Sequence, residues 1–107
     1  MVADPYTYRV GWSAEDEEYV GTCAEFPGLS WLDEDEDKAF RGIRTLVRET
    51  VDEMTSAGEQ IPEPFSLRQY SGRLQLRTTP DVHRRLVIEA AESNVSLNRL
   101  INSKLIA

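Results

Sequence analysis

The sequence predicts an α+β protein in two parts, a βββα(β) module followed by a βαα module, and three observations carry that prediction. Apolar residues first alternate in twos and then recur at steps of three and four. The pattern is broken at Ile61-Pro62-Glu63-Pro64 and begins again, strand first and helices after. Charge changes sign at nearly the same place. Residues 1–70 hold 6 Lys+Arg against 16 Asp+Glu, net −10, whereas residues 71–107 hold 6 against 3, net +3, which together make the −7 of the chain. The expected boundaries are 1–68 for the acidic module, 69–72 for a linker and 73–107 for the basic module.

In the acidic module, Tyr6, Tyr8, Val10 and Trp12 share one side of a two-residue period, which predicts a half-buried strand. The polar stretch Ser13 to Glu18 turns the chain into Tyr19-Val20-Gly21-Thr22-Cys23-Ala24, whose β-branched and aromatic residues suit an antiparallel partner. Phe26-Pro27-Gly28 breaks that strand, and Leu29-Ser30-Trp31-Leu32 predicts a third. From Asp35 to about Ala57, the positions Ala39, Phe40, Ile43, Leu46, Val47, Val51 and Met54 form the apolar stripe of one helix. Its acidic start complements the helix dipole, and Gly58 stands where a C-terminal cap is expected. Phe65-Ser66-Leu67 is then expected as a last edge strand. Cys23, the single cysteine, has no partner for a disulfide and reads as a small buried hydrophobe. Trp12 and Trp31 read as core or interface aromatics.

The basic module opens with Arg73-Leu74-Gln75-Leu76-Arg77, which alternates without exception and predicts a strand. Thr79 as N-cap and Pro80 at the first helical position start a helix with Val82, Leu86, Val87, Ala90 and Ala91 inward. Ser93-Asn94-Val95 ends it. Ser96 caps a second helix with Leu97, Leu100, Ile101 and Leu105 on one stripe.

So short a module cannot bury enough surface alone, and its single strand would be an unpaired edge. Pairing two copies of that strand across a two-fold axis answers both problems. The expected dimer core is Leu74, Leu76, Val82, Leu86, Leu97, Leu100, Ile101 and Leu105, and Arg73, Gln75 and Arg77 then point outward. A two-stranded ribbon fits the DNA major groove, where arginine can hold guanine and glutamine adenine. Ser96, Leu97 and Asn98, at a helix N-terminus, are placed to clamp a phosphate.

These residues resemble a known family. Tyr70-Ser71-Gly72-Arg73-Leu74-Gln75-Leu76-Arg77, followed by Pro80-Asp81-Val82-His83-Arg84-Arg85-Leu86, is similar to the tail of HicB-family antitoxins, which carry an Arc-like ribbon-helix-helix domain. The hairpin, Phe26-Pro27-Gly28-Leu29, the acidic turn, the long helix and Ile61-Pro62-Glu63-Pro64 are similar to the family's partial RNase H-like domain, so the resemblance spans nearly the whole chain. It departs at Thr78-Thr79, where related domains often have one residue before the proline. The resemblance implies an antitoxin of a HicAB-like type II system. Its acidic domain would cover a basic HicA-like mRNA-cleaving toxin, and its ribbon-helix-helix would bind operator DNA and repress the operon. The expected assembly is a homodimer, with a tetramer left open. A stand-alone dimeric regulator, whose acidic domain senses a ligand or builds oligomers, is the alternative.

Other classes fit less well. No stretch approaches the roughly 20 apolar residues of a membrane span. Met1 to Pro5 lack a signal peptide's basic start, so a cytoplasmic location without a membrane partner is expected. Glu15 to Glu18 and Asp33 to Asp37 are contiguous runs in polar turns, whereas two-metal chemistry needs carboxylates converging from separate elements. Asp33, Asp35 and Asp37 mimic the start of a calcium loop, but Lys38 stands where its glycine belongs and Arg44 where its bidentate glutamate belongs. His83 has no nucleophile beside it in sequence and reads as a surface residue. No cofactor, metal or enzymatic activity is expected.

Overall fold

Residues 4–106 are described by the structure, a computed structural model, and they divide into two compact units that meet in sequence between Tyr70 and Ser71. In the first unit β1 (Tyr8–Ser13), β2 (Glu18–Cys23) and β3 (Ser30–Asp33) form an antiparallel meander in the order β1-β2-β3. Tyr8 pairs with Cys23, Trp12 with Tyr19, and Tyr19 in turn with Asp33. The first strand begins two residues later than the alternation predicts. By Tyr6 its neighbour has already turned away, with the Phe26 amide donating back to the Cys23 carbonyl.

Alternation and register place Tyr8, Val10, Trp12, Tyr19, Gly21, Cys23 and Trp31 on one face, and helix α1 (Glu36–Ser56) lies on that face. Ala39, Ile43 and Val47, at steps of four, are the buried line of the helix, and Cys23, Phe26, Ile43 and Val47 make the core. Gly21 explains how closely helix and sheet approach. A Cβ there would sit 2.7 Å from the Ala39 carbonyl oxygen and 2.8 Å from an Ile43 methyl, so any side chain would push the helix away.

Both ends of α1 are chemically defined. The Asp35 side chain accepts from the Lys38 amide at 3.1 Å, and Gly58 takes φ +72° after the last turn. The amides of Gly58 and Glu59 then reach the carbonyls of Thr55 and Met54, the two bonds of a Schellman cap.

The expected edge strand at Phe65-Ser66-Leu67 is not formed. These residues make a turn, with the Leu67 amide donating to the Pro64 carbonyl at 3.0 Å. Pro62 and Pro64 have no amide to offer a ladder, and the Phe65 amide is taken by the Glu25 carboxylate at 2.9 Å. Tyr6 Oη donates to the Pro62 carbonyl and Ser66 Oγ to the Pro5 carbonyl, so the connector after α1 is tied to the start of the sheet.

In the second unit, α2 (Pro80–Glu92) begins where Thr79 Oγ1 accepts the Val82 amide, with Pro80 in the first turn. At its end Asn94 takes φ +57°, a conformation that asparagine tolerates better than most residues. The Asn94 and Val95 amides reach the carbonyls of Ala91 and Ala90, a second Schellman cap. Ser96 at once starts α3 (Leu97–Ile106), its Oγ accepting the Arg99 amide at 3.0 Å. Of the stripe expected on α2, Val82, Leu86 and Ala90 are covered, but Val87 and Ala91 are exposed.

Within one chain the strand expected at 73–77 is absent: the segment carries no β-ladder, and Leu74 is 87% and Leu76 68% exposed. The reason is physical. A strand is defined by its hydrogen-bond partner, and among the described residues the second unit offers two helices and no strand.

Candidate nucleic-acid interface

In the second unit Arg73, Gln75 and Arg77 lie on the exposed segment ahead of α2, alternating with Leu74 and Leu76. Among the described residues neither Arg73 nor Arg77 forms an ion pair, whereas Arg84 is bound to Asp81 at 2.8 Å and Lys104 to Glu89 at 3.1 Å. Arg85 and Arg99 of the same unit likewise make no ion pair among the described residues. The Arg73 amide donates to Ser71 Oγ at 3.1 Å, one turn-like contact at the start of the segment.

Ser96 immediately precedes α3 and caps it. Its side chain satisfies the Arg99 amide and its carbonyl accepts the Leu100 amide at 3.0 Å. Leu97 and Asn98 occupy the first turn, whose amides have no acceptor inside a helix. No acidic side chain stands in that turn, so the positive end of the α3 dipole is not neutralised locally.

Four of the eight residues expected in a dimer core come together. Leu76, Leu86, Leu97 and Ile101 line one open groove of about 440 Å³, with Pro80 and His83 at its margin. Val82 is half-buried and Leu100 is buried, while Leu74 and Leu105 face solvent in the single chain. His83 is exposed, as the sequence suggests, although its place beside the groove was not legible from spacing.

The feature that sequence reasoning missed is in the first unit. Glu25 is only 7% exposed, and its carboxylate accepts from the Thr7 amide at 2.9 Å, Thr7 Oγ1 at 3.1 Å, the Phe65 amide at 2.9 Å and Cys23 Sγ at 3.5 Å. Burial pushes this carboxyl up, but the hydrogen bonds from Phe65, Thr7, its own backbone and Cys23 outweigh that and hold it below the ordinary value. The signal available was a lone glutamate between Ala24 and the Phe26-Pro27-Gly28 breaker, outside both acidic runs. Cys23 is buried as expected, and that burial raises its thiol above the ordinary value.

The model of the HicB family matches residues 56–105, a stretch that runs from the last residue of α1 through the connector, the alternating segment and nearly all of α3. No curated protein and no solved structure matches the chain.

Proposed function

We propose that this chain, which belongs to the HicB family by its residues 56–105, is the antitoxin of a HicAB-like pair that also represses its own operon. Membership gives the chain a role related to toxin-antitoxin systems. The finer reading is that two copies of residues 73–77 pair as an antiparallel ribbon. Their leucines turn toward the grooves lined by Leu86, Leu97 and Ile101, and Arg73, Gln75 and Arg77 enter the DNA major groove.

The observation that carries this reading is the uncovered apolar side of the second unit. Leu74 and Leu76 are exposed beside an open groove of leucine and isoleucine, in a unit whose net charge is +3. A second copy supplies at once the missing ladder, the missing cover and a doubled positive charge for phosphate. The amides at the start of α3 would hold the DNA backbone and fix how deeply the ribbon sits. The acidic unit, net −10, is repelled by nucleic acid and suits a basic toxin, whose RNA-binding face it would cover.

The test is a mobility-shift titration on operator DNA with Arg73→Ala and Arg77→Ala. Each is expected to weaken operator binding by about 1–3 kcal/mol without changing self-association. Unchanged operator affinity in both variants would take the ribbon out of DNA recognition.

A further inference from the structure

We propose that Trp12, Tyr19 and Trp31 form the surface through which the first unit takes its partner, a protein presenting arginine or lysine side chains. This assignment rests on the antitoxin reading above and says which face of the acidic unit does the binding. Trp12 and Tyr19 are cross-strand neighbours, and Trp31 lies diagonally beyond Tyr19 on β3, so the three cross the sheet as one aromatic band. They share the face that α1 covers. Nevertheless Trp12 is 57% exposed and Trp31 43%, although tryptophan is on average a well-buried residue.

Both indoles are held in place rather than loose. Trp12 packs edge-to-face on Tyr19 with centroids 5.0 Å apart, and the Trp31 ring lies so close to Gly42 that any side chain there would collide with it. An exposed aromatic surface that is already ordered loses little entropy when a partner settles on it. Packing within the unit accounts for the fixed geometry but not for the exposure of both indoles.

Charge identifies the occupant. Because Tyr19 pairs with Asp33, the β1–β2 turn and the β3–α1 turn lie at the same end of the sheet. That end gathers Glu15, Asp16, Glu17 and Glu18 with Asp33, Glu34, Asp35, Glu36 and Asp37, and among the described residues no ion pair engages any of them. Local structure accounts for some: Asp16 accepts from Ser13 Oγ, Asp33 and Asp35 accept backbone amides, and Glu36 and Asp37 complement the helix dipole. Glu15, Glu17, Glu18 and Glu34 are left without such a role. An anionic partner, whether nucleic acid or lipid, is repelled here. Arginine and lysine instead gain twice, from the carboxylate rim and from the faces of the indoles. Aromatic anchors ringed by charge are also the residue types that dominate protein interfaces.

The experiment uses the full chain and a small basic HicA-like toxin, the partner that the antitoxin reading implies. Trp12→Ala, the double variant Trp12→Ala/Trp31→Ala, and Glu15→Gln/Glu17→Gln/Glu34→Gln are titrated with toxin by calorimetry at low and high salt. Leu32→Ser, on the opposite sheet face, serves as control. The double variant is expected to lose at least about 100-fold in affinity, and the glutamine variant to lose much of the salt dependence, while Leu32→Ser binds as the unaltered chain does. To avoid relying on variants that disturb the fold, 5-fluorotryptophan is also placed in the antitoxin alone. The chain holds only two tryptophans, and both fluorine resonances are expected to shift on adding toxin. If toxin binds and neither resonance moves, or if Leu32→Ser loses as much as the double variant, the band is not the surface and the antitoxin reading survives. If the unaltered chain does not bind toxin at all, both fall together.

Discussion

The two units differ in where their apolar side chains end up. The first closes a core within the chain, with Cys23, Ile43 and Val47 almost fully hidden between sheet and helix. In the second, Ala90 and Leu100 alone are buried among the described residues, while Leu74, Leu76, Val87, Ile88 and Leu105 are exposed. Charge differs in the same way: the self-contained unit is acidic and the uncovered one is basic. A unit that satisfies its own core can present its surface to another protein. The second unit leaves apolar side chains uncovered, and the proposed pairing of its alternating segment with a second copy is what would cover them.

The largest expected effect separates the two units by stability. Ile43 is fully buried between Gly21 and the core, so Ile43→Ala should destabilise the first unit by about 2–5 kcal/mol through lost burial and a residual cavity. A urea titration followed by near-ultraviolet circular dichroism of the tryptophans reads that unit directly, since both tryptophans belong to it. If the far-ultraviolet signal of the second unit falls in the same transition, the units are not independent and the comparison fails.

The next effect asks whether the second unit is complete as one chain. Leu76 is mostly exposed in the single chain, so Leu76→Glu would change little if that state were the functional one. If two segments pair and turn Leu76 inward, the substitution places two carboxylates in an apolar interface, and self-association should weaken by at least about 100-fold. Sedimentation equilibrium over a concentration series distinguishes the outcomes. An unchanged dimerisation constant would mean that the apolar groove is closed in some other way.

Much of this organisation was legible in the sequence because it depends on local rules. The helix starts at Thr79 and Ser96 follow from side-chain acceptors, that near Asp35 from an acidic first turn, and the stop at Gly58 from a residue that accepts positive φ. The face shared by Tyr8, Val10 and Trp12 follows from a period of two. What stayed hidden depends on distant neighbours. Phe65 to Leu67 has the composition of a strand, but its amide goes to a carboxylate 40 residues away. Trp12 and Trp31 read equally well as core or interface, and their exposure depends on how α1 lies across the sheet, with the Trp31 ring against Gly42. For Arg73, Gln75 and Arg77 the alternation is visible in sequence, whereas the partner that would make it a strand lies outside the chain.

The smallest effect concerns how the connector of the first unit is held. Glu25 sits below its ordinary value of 4.5 because its hydrogen bonds from Phe65 and Thr7 favour the charged form more than burial opposes it. Its contribution to stability is therefore complete above that ordinary value. As pH falls through 4.5 toward the folded value, the unfolded chain takes up the proton first and the contribution is lost. Thermal melts of the first unit should therefore lose stability over this acidic window, and Glu25→Gln should flatten that part of the curve. In the same variant an amide NH2 replaces one acceptor oxygen and faces a backbone donor, so hydrogen exchange at the Phe65 or the Thr7 amide should speed up already at neutral pH. Amides of α2 should keep their rates, because nothing that Glu25 holds lies in the second unit. A variant with an unaltered acid limb and unaltered exchange at both Phe65 and Thr7 would mean that Tyr6 and Ser66, through the carbonyls of Pro62 and Pro5, are enough to hold the connector without the carboxylate.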